Sequence, residues 1–238
     1  MKSWEIKPAR DLGLPLGQRL RSLARERGLV GLALNAAWRH TLRLYLAAAH
    51  RLEVEGRENL PPPPFVIIAN HASHLDALTL AAALRGEAAR AAHALAAGEV
   101  FFGKPAGAAF AAYAINALPV WRGRTQRSEL KLLRERLLED RLAYILFPEG
   151  TRSRDGTMAP FQPGLAMLVA GTPVPVVPCW IEGAHECWPP SQRWPRPGRL
   201  RLRIGKPLVF EDVAPDAEGR ARIAQAARDA VVALRPPG

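Results

Sequence analysis

Apolar residues along this chain follow two periodicities, and their alternation predicts most of its elements. Phe65–Ala69 (FVIIA), Ala143–Phe147 (AYILF) and Pro175–Ile181 (PVVPCWI) are short, unbroken apolar runs. Such runs read as strands buried on both faces. Leu118–Trp121 (LPVW) and Leu52–Glu55 (LEVE) read as shorter strands, and Leu200–Ile204 (LRLRI) alternates as a half-exposed strand does. Helical spacing fills the intervals. Residues 125–140 place Leu130, Leu133, Leu137 and Leu138 on one face, a helix opens after Ser73 and runs to about Leu84, and others are expected near 104–114, 164–170 and 217–234. Strands alternating with helices predict an α/β domain over residues 51–238, with a central, mostly parallel sheet flanked by helices. In such sheets sites gather at the carboxyl ends of strands. That rule selects the loops after 65–69 and after 143–147.

Residues 1–50 have a different pattern. Positions 16–28 carry Leu16, Leu20, Leu23 and Ala24 at helical spacing with Arg between them. In 30–50, Leu34, Trp38, Leu42, Tyr45 and Leu46 share a face, with Arg39 and Arg43 off it. The expectation is an N-terminal helical hairpin preceding the sheet domain. Two readings of its second helix stand level: an interfacial membrane anchor, or a helix packed on the core. No stretch reaches the roughly 18–20 apolar residues that a spanning helix needs. A membrane contact would therefore be peripheral.

Charge adds to this picture. The formal net charge is +11, and residues 1–51 hold ten Lys and Arg against three acids. A surplus of this size suits an anionic partner, although a solubilising surface would also carry it. The basic side chains accompany apolar helical faces rather than exposed aromatics on a recognition module, so an anionic membrane surface is expected and nucleic acid is not. The two cysteines, Cys179 and Cys187, form no disulfide framework and show no metal-ligand spacing. No metal is expected, and a reduced, cytoplasmic setting follows.

Candidate chemistry lies in the two selected loops. The first reads Asn70-His71-Ala72-Ser73-His74-Leu75-Asp76. With His71 ahead of the helix and Asp76 in its first turn, the chain can fold back so that the carboxylate meets one ring nitrogen. The other nitrogen is then free as a base, which is the base-and-orienter part of a triad without its serine. The plainer alternative is that Asp76 only caps the helix. His74 has no evident partner in the sequence and reads as structural. The second loop reads Phe147-Pro148-Glu149-Gly150-Thr151-Arg152-Ser153. Gly150 lets backbone approach a ligand, and Arg152 offers a planar fork for phosphate. Glu149 could accept a hydrogen bond from a hydroxyl or steady Arg152. A solvated turn is the alternative.

Taken in order, Asn-His with four residues before Asp, then Phe-Pro-Glu-Gly-Thr-Arg-Ser, resemble the glycerolipid acyltransferases of phospholipid synthesis. Leu118–Arg122 and Val174–Pro178 (VPVVP) resemble two further blocks of that family, so the likeness covers roughly residues 50–205. It implies that His71 deprotonates an acceptor hydroxyl and that Asp76 orients His71. It also implies that Arg122, Glu149, Gly150, Thr151 and Arg152 form the acceptor site, and that an apolar tunnel takes the acyl chain. The acyl group would come from acyl-CoA or acyl-carrier protein as co-substrate, with no cofactor and no acyl-enzyme. The acceptor would be a lysophospholipid, foremost 1-acylglycerol-3-phosphate, at the cytoplasmic face of the cell membrane, and residues 1–50 would match the family's membrane-docking element. One departure bears on the acceptor. Phe161-Gln162-Pro163-Gly164 stands where relatives commonly have Phe-Lys-x-Gly, which leaves open a different lyso-lipid, such as a lyso-aminolipid. A non-catalytic membrane-binding protein on the same fold is the other alternative.

Overall fold

A computed structural model describes residues 8–26, 28–121 and 127–236. Seven strands form one sheet: β1 (Glu53–Glu55), β2 (Phe65–Ala69), β3 (Ala92–Ala97), β4 (Ala117–Val120), β5 (Ala143–Leu146), β6 (Val176–Glu182) and β7 (Arg201–Ile204), in the order β1-β7-β6-β2-β5-β3-β4. The run β6-β2-β5-β3-β4 is parallel throughout, and β7 is antiparallel to β6 with β1 parallel to β7. Ten α-helices accompany it among the described residues: α1 (Leu16–Leu20), α2 (Leu29–His50), α3 (Asp76–Ala83), α4 (Gly86–Ala91), α5 (Gly98–Phe101), α6 (Pro105–Phe110), α7 (Arg127–Glu139), α8 (Gly164–Val169), α9 (Ala184–Cys187) and α10 (Ala217–Val232). The fold is the expected α/β class.

The pleat of β2 divides two cores. Phe65, Ile67 and Ala69 face Leu42 and Leu46 of α2 and Leu75 and Leu80 beside α3. Val66 and Ile68 face the other way, onto Leu133 and Leu137 of α7, Leu165 of α8 and Ile223 and Val231 of α10. All five β2 residues are buried, as a central parallel strand requires. Full burial of each large side chain contributes about 1.5–3 kcal/mol. Strand register aligns the ends of neighbouring strands: Ile68 lies beside Leu146 of β5 and Ala69 beside Cys179 of β6. The loops leaving β2 and β5 therefore emerge side by side at one sheet edge.

Three expectations need correction. The helix expected over 16–28 spans only Leu16–Leu20. Beyond it Arg25 is buried, with Nη2 donating to the Ala117 carbonyl at 2.8 Å and to the Asn116 side chain at 3.3 Å. The buried stripe of α2 is Gly31, Asn35, Leu42, Leu46 and His50, whereas Leu34 and Tyr45 are exposed. The helix after Ser73 begins at Asp76. One strand, β3, is absent from the sequence reading because Ala-His-Ala-Leu-Ala-Ala carries no β-branched residue.

Within α2, Arg39 and Arg43 turn toward the protein. Arg39 Nη1 donates to the Ala89 carbonyl. Arg43 donates to the Ala82 and Leu84 carbonyls at 3.0 and 2.6 Å, satisfying the C-terminal end of α3. Solvent is left with Leu29, Val30, Leu32, Leu34, Leu44 and Tyr45. Among the described residues no helix is long and apolar enough to cross a membrane.

Candidate active site

Asn70 closes β2. Its side-chain amide donates to the Ile181 carbonyl at 2.9 Å and accepts from Ile181 N–H at 2.8 Å, so the amide extends the β2–β6 ladder by one rung. His71 is thereby fixed at the sheet edge. Its ring stacks on Phe147, with centroids 4.0 Å apart and planes 16° from parallel. Adjacent parallel strands bring the two together, and each blocks one face of the other.

Asp76, the first residue of α3, reaches back. Its Oδ2 lies 2.8 Å from His71 Nδ1 and accepts from the Ala72 and Ser73 N–H groups at 2.7 and 2.8 Å. The carboxylate is thus held by the turn ahead of the helix, and it caps none of the N–H groups of α3. An acceptor at Nδ1 requires Nδ1 to carry the ring proton, which leaves Nε2 with a lone pair. The Asp76 side chain is 1% exposed and the His71 side chain 19%. That difference leaves the carboxylate dry and part of the imidazole open to solvent. Ser73 does not cap the helix by itself: its hydroxyl donates to the Trp188 carbonyl at 2.7 Å and accepts from Leu75 N–H at 3.0 Å.

The two loops are laced together. Glu149 accepts from His71 N–H at 2.6 Å through Oε1 and from Ala159 N–H at 2.8 Å through Oε2, while Ser153 N–H donates to the His71 carbonyl at 2.8 Å. Glu149 was expected to meet a hydroxyl or Arg152. Instead it is buried and turned onto backbone, because the strand register puts its side chain under the His71 peptide. Burial raises its pKa above the usual carboxylate range, partly offset by those two N–H donors and by His71. Gly150 takes a φ of +75°, a left-handed turn closed by its N–H to the Phe147 carbonyl at 3.0 Å, and Thr151 beside it is exposed. A Cβ on Gly150 would lie 3.6 Å from Gln162 Cγ, so Gln162 stands over this turn.

Arg152 packs against His74, with Nη1 at 2.5 and 2.8 Å from the two ring nitrogens. The His74 ring lies 4.9 Å from that of Trp188. His74 thus has a partner, 78 residues away, that its sequence neighbourhood gave no sign of. Its pKa is lowered, first by burial and then by the Arg152 charge. Arg122 lies outside the described residues; the chain reaches Trp121 just beyond β4, two strands from β5. No cluster of His, Cys, Asp and Glu that could hold a metal occurs among the described residues. A narrow recess of about 10 Å³ lies between α2, α3 and the sheet, lined by Trp38, Leu78, Ala81, Ile115 and Ile145.

The family model described as Acyltransferase matches residues 51–182. The sheep 1-acyl-sn-glycerol-3-phosphate acyltransferase alpha is 30% identical over 169 residues, which is 70% of this chain and 57% of the sheep protein. The chloroplastic 1-acyl-sn-glycerol-3-phosphate acyltransferase BAT2 of Brassica napus is 32% identical over 162 residues, covering 67% of this chain and 45% of that one. The chain therefore spans about half the length of these curated relatives. The crystal structure of the 1-acyl-sn-glycerophosphate acyltransferase PlsC from Thermotoga maritima superposes with a TM-score of 0.63 at 24% identity, over 87% of this chain and 81% of that one, and shows the same fold. Since the family model covers more than half of its length, the chain belongs to the acyltransferase family.

Proposed function

We propose that this protein transfers a fatty acyl group from a thioester, acyl-CoA or acyl-carrier protein, to the hydroxyl of a lysophospholipid, foremost 1-acylglycerol-3-phosphate. The observation that carries the reading is the His71–Asp76 pair, aligned by a 2.8 Å contact at the carboxyl edge of the central strands. The acceptor hydroxyl meets His71 Nε2 and gives up its proton as its oxygen attacks the thioester carbonyl. A tetrahedral oxyanion forms, collapses and expels the thiolate, which takes the proton from the imidazolium. Ester and thiol are the products, and His71 ends neutral. Asp76 holds the tautomer and stabilises the transient imidazolium without itself being protonated. A thioester is already activated, so proton removal and positioning suffice, and no step calls for a cofactor or metal.

Arg122, Gly150, Thr151 and Arg152 form the acceptor side in this reading, with Glu149 fixing the loop from beneath. The recess lined by Trp38 and Leu78 borders the α2 side and is the candidate start of the acyl path. Residues 1–50 dock on the membrane, the uncharged outer face of α2 making the apolar contact. The protein is then peripheral, on the cytoplasmic face of the cell membrane. Gln162 above Gly150, where relatives commonly have lysine, favours as second reading an acceptor with a different head group.

The test incubates purified full chain with a long-chain acyl-CoA and a panel of lysophospholipids. Ester is read by mass spectrometry and thiol release by a chromogenic reagent. Stoichiometric ester and thiol with one acceptor supports the reading; thiol release without ester, or neither product with any acceptor, overturns it.

A further inference from the structure

The segment between α9 and β7, Trp188 to Arg199, is a fixed loop with an unusual surface. Trp194 is 71% exposed, and the Arg193 guanidinium lies 5.5 Å from its ring centroid. Arg193, Arg196 and Arg199 are all exposed, and among the described residues none forms an ion pair. From Cys187 to Leu200 there is no acidic residue, while four prolines stiffen the backbone. Glu186 is the nearest acid in sequence, one residue before that stretch.

Hydrogen bonds set where this loop sits. The Trp188 carbonyl accepts from the Ser73 hydroxyl and from His74 N–H at 3.2 Å, so one end borders the catalytic loop. At the other end Gly198 N–H donates to the Ala49 carbonyl at 3.2 Å and Leu200 N–H to the His50 carbonyl at 2.9 Å, so the loop abuts the last turn of α2. Between them Arg196 N–H donates to the Cys187 carbonyl at 2.8 Å and Trp188 Nε1–H to the Gln192 carbonyl at 3.1 Å. The loop bridges the site and the apolar helix.

The arginines of α2 are committed to protein carbonyls, so its outer face offers contact area and no charge. An apolar face alone does not distinguish anionic from neutral lipid. Three unpaired arginines around an exposed tryptophan have the complementary property: cations attracted to lipid phosphate, beside a ring that prefers the interface. Rigidity lowers the ordering cost of binding.

We infer that residues 188–199 are a second membrane contact that binds anionic phospholipid head groups and sets the mouth of the site, beside His74 and Arg152, against the bilayer. This rests on the peripheral-membrane reading above and adds a site outside residues 1–50. Each exposed arginine near an anionic surface strengthens partitioning on the order of fivefold at low salt.

The experiment uses full-length protein with vesicles of phosphatidylcholine, with and without phosphatidylglycerol. It compares the combined variant Arg193→Gln, Arg196→Gln, Arg199→Gln with Trp194→Ala and, on α2, Leu44→Asp. The arginine variant should bind phosphatidylglycerol vesicles roughly 10- to 100-fold less tightly, bind neutral vesicles as the parent does, and keep its unfolding midpoint. Trp194→Ala should weaken both vesicle types several-fold. Turnover of a short-chain, water-soluble acyl-CoA should stay at the parent level in both variants. If Leu44→Asp binds like the parent while the arginine variant loses its anionic preference, the helix reading falls and the loop inference stands. Unchanged binding of the arginine variant to phosphatidylglycerol vesicles overturns the inference. So does a matching loss of turnover with water-soluble substrate, or a loss confined to binding an acidic carrier protein.

Discussion

The loop pair at the sheet edge and helix α2 are both exceptions to ordinary burial, in opposite senses. At the sheet edge, polar groups are driven inward. Asp76, Glu149 and Asn70 are all buried, and each is answered by backbone N–H or C=O groups at 2.6–2.9 Å. In α2, apolar groups are driven outward: Leu29 is 85% exposed and Leu44 60%, while the arginines point in. The first arrangement costs stability and gains fixed geometry for the His71 ring. The second costs nothing in internal contacts and leaves a surface that water disfavours. The contrast teaches that a fixed polar constellation and an uncovered apolar face place opposite demands on the same kind of fold, and here they occupy different elements.

The sharpest way to break the contrast is at His71. Replacing it with Ala should lower kcat/KM by about 10²–10⁴-fold in the thiol-release assay with the unfolding midpoint kept, since its ring is partly exposed. Asp76→Asn should follow, with a loss of about 10²-fold or more in kcat. Its stability by urea titration should stay within about 1 kcal/mol of the parent, because the Asn carbonyl oxygen can take the Oδ2 place and its NH₂ the place of Oδ1, which makes no hydrogen bond. Glu149→Gln should cost about 1–3 kcal/mol, because both of its oxygens accept and the new NH₂ is set against His71 or Ala159 N–H. Leu44→Lys on α2, a larger chemical change, should alter stability by no more than about 0.5 kcal/mol while weakening vesicle binding. Equal stability losses for Glu149→Gln and Leu44→Lys would erase the distinction between the two regions.

The smallest effect concerns pH. Each region holds one histidine whose pKa is lowered by burial, His74 at the site and His50 at the end of α2. A lowered folded value means the unfolded chain takes the proton first. Stability is therefore unaffected above the ordinary imidazole value of about 6.5 and falls as pH drops below it. Replacing His50 with Gln should flatten that acid limb in thermal melts from neutral to mildly acidic pH; an unchanged limb would show that other groups carry it.

How far the sequence discloses these features depends on how local their causes are. The span of β2 is legible to the residue because β-branched side chains make a continuous run. The His71–Asp76 contact is legible because one turn of chain contains both. β3 is hidden: alanine favours helix when isolated, and Ala92–Ala97 becomes a strand because β5 and β4 offer ladders on both sides. Glu149 and His74 are hidden for another reason. Their partners are set by strand register across 78 residues, and neither end carries a mark of the other. The arginines of α2 look like a basic surface in a helical projection, which cannot show that the carbonyls ending α3 lie within their reach.

The amide of Asn70 has a chemical consequence for the ageing of the molecule. It is a one-residue adapter, a donor facing the Ile181 carbonyl and an acceptor facing the Ile181 N–H. Hydrolysis of that amide to a carboxylate changes a single group, yet it sets oxygen against oxygen where a 2.9 Å hydrogen bond now stands. Attraction becomes repulsion one residue before His71. The loop that carries His71 thus hangs from a group whose polarity is chemically perishable, and the wear would show as a shifted imidazole rather than as an unfolded chain.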